Sequence, residues 1–298
     1  MTAPLLSVVV PSVNGLADLS DCLEALSDEA TRIPLEILVA DRCGEPIRQT
    51  VAQMFPQARL LAAPPGTTIP DLRAMAFDAA KADVVAVIED HVIVPPGWAT
   101  LMVDAHRRGE EVVGGSLYNA ATERTVDWAA FLCEYSHMLA PRPAGRVDWL
   151  TGNNTAYRRM LLQEHRAAVT SGKWEDHLHG TLQEHGAVLH YHPEIRVAHK
   201  KHYSVGEYLS QRFLYARAHA GARVGGRPLA IRLGMGVAAA ALPGLLFYRV
   251  VSRVVGVGRH QAELLRSLPL LTLFVCSWAL GEMVGFVAGP GDALSKVR

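Results

Sequence analysis

The chain has 298 residues, half of them apolar, with 29 basic and 29 acidic side chains. That length allows one large or two modest domains with a real core, and the composition excludes a disordered or fibrous protein. Cys22, Cys43, Cys133 and Cys276 form no CxxC pair, which argues against a disulfide framework or a thiolate zinc site. The neutral total hides a division: residues 1–198 carry 16 Lys and Arg against 25 Asp and Glu, whereas residues 199–298 carry 13 against 4. A basic C-terminal third with long apolar runs suits an anionic lipid or phosphate surface. Basic residues that flank apolar runs, with no aromatic platforms between them, argue against nucleic acid.

The opening MTAPLLSVVVPS lacks a basic n-region, so Leu5–Val10 reads as a buried strand stopped by Pro11 and not as a signal peptide. Leu16, Leu19, Leu23 and Leu26 lie at spacings of three and four, one face of a helix over 15–29. Leu35–Ala40 is a second strand ending at Asp41, Ile47–Phe55 a helix, and Ala58–Ala62 a third strand. A helix over 71–81 and a strand at Val84–Ile88 follow, the strand running into Glu89-Asp90-His91. Alternating strands and helices predict a doubly wound α/β sheet, mostly parallel, with ligands at the carboxyl ends of its strands. Strands are expected at 112–116 and 147–150, a helix at 155–165, another over 175–185, strands at 187–192 and 195–198, and a helix over 204–223.

SVVVPSVNG, then EILVAD, RAMAFDAA and VVAVIEDHVIVPPGW, then TGNNTAYRR, WEDHLHGTLQEHG and HYHPEIRVAH, follow one another in an order that resembles glycosyltransferase family 2 with its GT-A fold. The resemblance covers roughly residues 5–220 and rests on the ordered set of motifs, each weak alone. It implies an inverting, metal-dependent transfer of a sugar from a nucleotide sugar, with UDP favoured over GDP. The nucleotide sugar would be held by Pro11, Val13, Asp41, Arg73, Glu89 and Asp90. On residue type alone Asp41 equally suits the cap of a helix, and Arg73 a solvated helix face.

Glu89-Asp90-His91 stands where the family has its DxD motif, with the outer aspartates replaced. A DxH variant is known in the polypeptide N-acetylgalactosaminyltransferases, where a second, downstream histidine completes the metal site. His199 lies at the equivalent point here, so Glu89, His91 and His199 form a candidate site for Mn²⁺ or Mg²⁺; Mn²⁺ tolerates mixed carboxylate and imidazole ligands. The other six of the seven histidines between 177 and 202 show no ligand spacing and read as packing residues.

The family's catalytic base lies in an EDxxLxxxLxxxG-like pattern. Anchoring the helix on Leu178, Leu182 and Gly186 puts the base at Glu175; literal matching of the dipeptide puts it at Asp176. Gly152, Asn153, Asn154 and Trp174 suit an acceptor or sugar shelf, because amides and an aromatic face fit hydroxyl-rich rings. Gln211-Arg212-Phe213-Leu214-Tyr215 matches the family's QxxRW-type motif only in part, which argues against polymer synthesis; Arg212 and Arg217 are the candidate diphosphate contacts. Two other readings compete: an inactive GT-A membrane scaffold, and a nucleotidyltransferase, which would carry a cationic Gly-rich loop that VPSVNG lacks.

The expected organisation is a catalytic domain over 1–222 and a membrane-associated helical hairpin over 223–298. Leu233–Tyr248 and Leu268–Ala288 are its apolar segments, short and marginal beside the ~20 residues a span needs. Arginines at 217, 223, 227 and 232 precede the pair, those at 249, 253, 259 and 266 connect it, and Lys296 and Arg298 follow. With every flank basic, the positive-inside rule favours a monotopic or re-entrant pair on the cytoplasmic face over two true spans. A lipid-linked or other glycan acceptor is the expected partner there. Gly236, Ala240 and Gly244 on one segment, and Gly281, Gly285 and Gly289 on the other, predict close packing of the two helices on each other.

Overall fold

The computed structural model describes residues 3–298. It divides into two compact units: the chain up to Tyr118 with Ala140–Lys200, and Asn119–Leu139 with Lys201–Arg298. The first unit is built on strands β1 (Leu6–Ser12), β2 (Leu35–Asp41), β3 (Ala58–Ala62), β4 (Val84–Ile88), β5 (Val92–Ile93), β6 (Val112–Asn119), β7 (Gly145–Val147), β8 (Asn154–Arg158) and β9 (Leu189–His199). In chain order the helices are α1 (Leu16–Ala30), α2 (Glu45–Met54), α3 (Ile69–Ala79), α4 (Trp98–Arg107), α5 (Thr125–Tyr135), α6 (Arg159–Glu164), α7 (Arg166–Val169) and α8 (Glu175–Glu184). They continue with α9 (Val205–Ala222), α10 (Leu229–Ala238), α11 (Leu242–Val257) and α12 (Gln261–Ala288).

The sheet order is β3-β2-β1-β4-β8-β6-β9-β5, with β7 on β9. The β3-β2-β1-β4 half is parallel, as the alternation of strands and helices requires, and its core strands β1 and β4 are buried along their whole length. The other half is antiparallel: β8 runs against both β4 and β6, and β9 against β5 and β7. The sheet is therefore mixed, doubly wound at one end only.

Three local expectations change. The helix expected at 155–165 begins as strand β8, and only Arg159–Glu164 is helical. Asn154–Arg158 has a pairing strand on each side, and these ladders and the burial of the segment outweigh its local helical propensity. The two strands expected at 187–192 and 195–198 are one, β9, running through Pro193. The strand expected at 147–150 lies earlier, at Gly145–Val147. Where β6 and β9 pass, Gly115 admits no side chain, because an added methyl would coincide with the Ile195 carbonyl.

In the second unit α9 opens with a capping box: Ser204 Oγ accepts the Glu207 N–H, and the Glu207 carboxylate accepts the Ser204 N–H. The apolar segments are longer helices than their apolar cores. Leu229–Val257 is nearly continuous, with a 3-10 turn at Ala239–Ala241 before Pro243, and Gln261–Ala288 is unbroken through Pro269. Each is long and apolar enough to cross a membrane. The turn between them is only residues 258–260, so Arg249, Arg253 and Arg266 lie on helices and not in a 249–266 loop.

The glycine expectation is corrected. Gly281 and Gly285 face α9, not the preceding hairpin helix: added methyls there would press on the Phe213 and Arg217 carbonyl oxygens. Ser277 Oγ donates to the Leu209 carbonyl at 2.7 Å along the same seam. Gly236 does meet α12, at Val287 and Met283, whereas Gly244 and Gly289 have no neighbour within 4 Å of an added methyl. On the hairpin helices Leu229, Leu233, Val237, Tyr248, Leu265 and Leu280 are exposed.

Two glycines give a matched stability test. Gly115→Ala should cost on the order of 3 kcal/mol through overpacking. Gly180→Ala, inside α8 with open space around it, should gain about 1 kcal/mol from helix propensity. Thermal unfolding of the two variants should move in opposite directions.

Candidate active site

The carboxyl ends of β1, β2 and β4, the loop before β8, the start of α8 and the end of β9 supply the polar residues of the first unit's site. At β2, Asp41 is fully buried and its carboxylate is occupied. It accepts from Ser12 Oγ (2.8 Å), the Cys43 and Gly44 N–H groups (both 3.2 Å) and Arg48 Nη1 (3.0 Å). It therefore builds the turn after β2. Pro11 lies within β1 opposite Ala40, and the Val13 N–H is given to Asp90 Oδ2 at 2.8 Å.

Glu89, Asp90 and His91 leave β4 in a tight turn whose Val92 N–H returns to the Glu89 carbonyl. The two-residue strand β5 then pairs Val92 with His199 and Ile93 with Ala198. This pairing sets His91 Nε2 at 3.0 Å from His199 Nε2, with Glu89 Oε2 3.3 Å from the first and 4.0 Å from the second. Two facing imidazole nitrogens and a carboxylate at such separations fit a divalent cation. Neighbouring ligands of an octahedral ion with bonds of about 2.1 Å stand about 3 Å apart. The electrostatics agree. Burial alone would lower the pKa of His91, but its hydrogen bonds and charge contacts with Asp90 and Glu89 push it up to about 9. Burial alone would raise Glu89, but the hydrogen bond and charge of His91, with the charges of His199 and Arg73, hold it far below the usual carboxylate range. The cluster thus attracts positive charge, which a metal ion would supply in place of a proton.

Glu175 opens α8. Its Oε2 accepts from Arg73 Nη1 at 2.9 Å and its Oε1 from the Gly152 N–H at 3.2 Å. Arg73 comes from α3, is buried, and lies against the Trp174 ring with 5.8 Å between guanidinium carbon and ring centroid. Asp176 points outward and is exposed. An added methyl on Gly152 would sit 2.6 Å from both Arg73 Nη1 and the Glu175 carboxyl, so only glycine allows the pair to close over that peptide. One residue on, Asn153 Nδ2 donates to Glu89 Oε2 at 3.0 Å. Asn154 turns the other way: it accepts from Trp98 Nε1 and donates to the Ser116 and Ile195 carbonyls, buried inside the sheet.

Glu89, His91, His199, Asn153, Gly152, Glu175, Arg73 and Trp174 thus form one connected set. Arg212 and Arg217 are engaged within the second unit. Arg212 stacks on Trp278 at 4.3 Å with Glu134 3.7 Å away, and Arg217 Nε donates to the Gly289 carbonyl. Sequence reasoning missed Asn14, which donates N–H and Nδ2 to Asp90, and Tyr157, whose hydroxyl meets His179 Nε2 at 2.8 Å beneath Glu175. Burial pulls His179 down to about 4, so its ring is neutral. Both lie inside quoted motifs, SVVVPSVNG and TGNNTAYRR, but their partners, Asp90 and His179, are distant in sequence.

The sequence model of glycosyl transferase family 2 matches residues 7–166, more than half of the chain. The chain belongs to that family and is a nucleotide-sugar glycosyltransferase. Among solved structures, that of S. aureus TarS 1-349 in complex with UDP-GlcNAc is similar, with a TM-score of 0.50 and 14% identity over 94% of this chain and 90% of that one. At that identity the likeness is one of fold. No curated protein matches.

The Gly152 contact yields a prediction. Gly152→Ala should displace the Glu175–Arg73 pair and cut sugar transfer roughly 10²-fold, the usual cost of misplacing a site by about an ångström. Its thermal midpoint should fall much less than that of Gly115→Ala.

Proposed function

We propose that the chain transfers a sugar with inversion from a UDP-sugar to a hydroxyl or phosphate acceptor, with Glu175 as the base. The observation that carries this reading is the convergence of Glu175, fixed by Arg73 and Gly152, with the Glu89–His91–His199 donor set in one unit. Glu175 takes the proton of the acceptor hydroxyl as that oxygen attacks the anomeric carbon. The bond from the anomeric carbon to the diphosphate breaks on the opposite face, and the diphosphate leaves. Glu89, His91 and His199 would hold Mn²⁺ or Mg²⁺, which when bound would supply positive charge to offset that of a departing diphosphate. The turn built by Asp41 and the backbone at Pro11–Val13 receive the nucleotide base and ribose. The UDP-GlcNAc bound in the TarS structure favours UDP over GDP as the donor nucleotide.

The C-terminal hairpin is read as monotopic, embedded in the cytoplasmic leaflet. The packing of α12 on α9 supports this. The seam from Ser277 to Gly285 runs against Leu209 to Arg217. A spanning α12 would thus draw α9, with Gln211, Arg212 and Arg217, into the hydrocarbon, where charged groups are costly. Exposed apolar side chains on α10, α11 and the outer side of α12 remain for the lipid tails, and the arginines at both ends for headgroups. A lipid-linked acceptor follows from that location.

Glu175→Gln should lower kcat by about 10²–10⁴ while leaving the donor Kd within roughly twofold, since the group acts in the transition state; Asp176→Asn should stay active. The reverse pattern would move the base by one residue. For topology, a cysteine at Gly258 in a chain stripped of its native cysteines should resist an impermeant thiol reagent added outside intact cells, and react in inverted vesicles. Labelling from outside would establish two spans.

A further inference from the structure

Two buried polar side chains, Asp90 and Asn153, adjoin the proposed metal ligands. Asp90 is 1% exposed. Its Oδ2 accepts the Val13 and Asn14 N–H groups, at 2.8 and 2.9 Å, and its Oδ1 accepts Asn14 Nδ2 at 2.7 Å. The same Oδ1 stands 3.0 Å from His91 Nδ1. A carboxylate only accepts, and Asp90 Oδ1 stands closer to Nδ1 than Asn14 Nδ2 does, at 3.0 against 3.3 Å, with Asn14 Nδ2 already donating to that oxygen. In the neutral ring the proton therefore belongs on Nδ1 and the lone pair on Nε2. That lone pair is the one aimed at His199 and Glu89. Asn153 is 2% exposed, and its Nδ2 donates to Glu89 Oε2, the oxygen nearest both histidines.

We propose that Asp90 and Asn153 are positioning residues for the cation, Asp90 fixing the tautomer and direction of His91 and Asn153 the rotamer of Glu89. The inference rests on the metal reading above. It moves Asp90 from the nucleotide contacts, and Asn153 from the acceptor shelf, to the support of the metal ligands. Such partners commonly govern metal affinity 10- to 100-fold. Asp90→Asn is the informative change. Its amide can turn an N–H toward His91 Nδ1, which forces the ring proton onto Nε2 and turns the coordinating lone pair away from the cation.

Mn²⁺ binding to the full-length chain, followed by the electron paramagnetic resonance of free and bound ion, tests the proposal apart from catalysis. Asp90→Asn and Asn153→Ala should each raise the Kd for Mn²⁺ about 10- to 100-fold. The ¹⁴N spin-echo modulation of bound Mn²⁺ should report two imidazoles in the wild type and in Asn153→Ala, and a weaker pattern in Asp90→Asn. Excess Mn²⁺ should restore most of the transfer rate, which a merely misfolded variant would not show. Kd values within twofold of wild type in both variants would overturn the proposal. If Asp90→Asn does not fold, Asn153→Ala decides alone. A wild-type chain that binds no divalent cation at millimolar concentration overturns the metal reading itself, and this inference with it.

Discussion

Two residues of antiparallel pairing, Val92 with His199 and Ile93 with Ala198, hold the site together. Without that short ladder His91 and His199, 108 positions apart, have no reason to meet. The Lys200 N–H, bonded to the His91 carbonyl at 3.0 Å, continues the register by one more residue. Because side chains alternate along a strand, a slip of one residue would send His199 to the opposite face. The antiparallel half of the sheet therefore does more than extend the parallel half: it returns the chain to the end of β4 in fixed register.

The segment Thr151–Asn154 performs the second joining. Within three consecutive residues, the Gly152 N–H holds Glu175, Asn153 holds Glu89, and Asn154 anchors the segment in the sheet through Trp98, Ser116 and Ile195. Glu175 and the Glu89–His91–His199 cluster thus share one rigid support, the pre-organisation that transfer between two bound substrates demands. Arg73 adds a buried positive charge between two carboxylates, Glu175 and Glu89, which would otherwise repel each other across a poorly solvated space.

The second unit solves a different problem. Its longest helix packs on α9 through glycine and serine contacts and also meets α5, α10 and α11, while Leu265, Leu273 and Leu280 stay exposed. Close backbone approach is worth most where side chains offer no hydrophobic gain, as at a lipid boundary. The same unit shelters Arg212 among Tyr208, Tyr215 and Trp278. That cage accounts for an arginine in the partial QxxRW-like stretch by packing within the unit, whatever its part in the reaction.

The sequence by itself determined the parallel half of the fold. Strands β1 to β4 and the helices between them are continuous apolar runs and periodic faces, signals that local spacing carries in full. It also put Glu89, His91, His199 and Glu175 forward as candidates, because the ordered motifs and the leucine register of α8 are local. Tertiary structure alone decided what long-range pairing controls. Asn154–Arg158 became a strand because β4 and β6 lie on either side of it, and Gly281 and Gly285 turned to α9 because only that neighbour brought a backbone close enough to need them. The same holds for Asp41, Asp90 and Asn153. Their residue types suit a ligand contact as well as a support, and the choice between the two is made by which donors and acceptors the folded chain places within three ångströms.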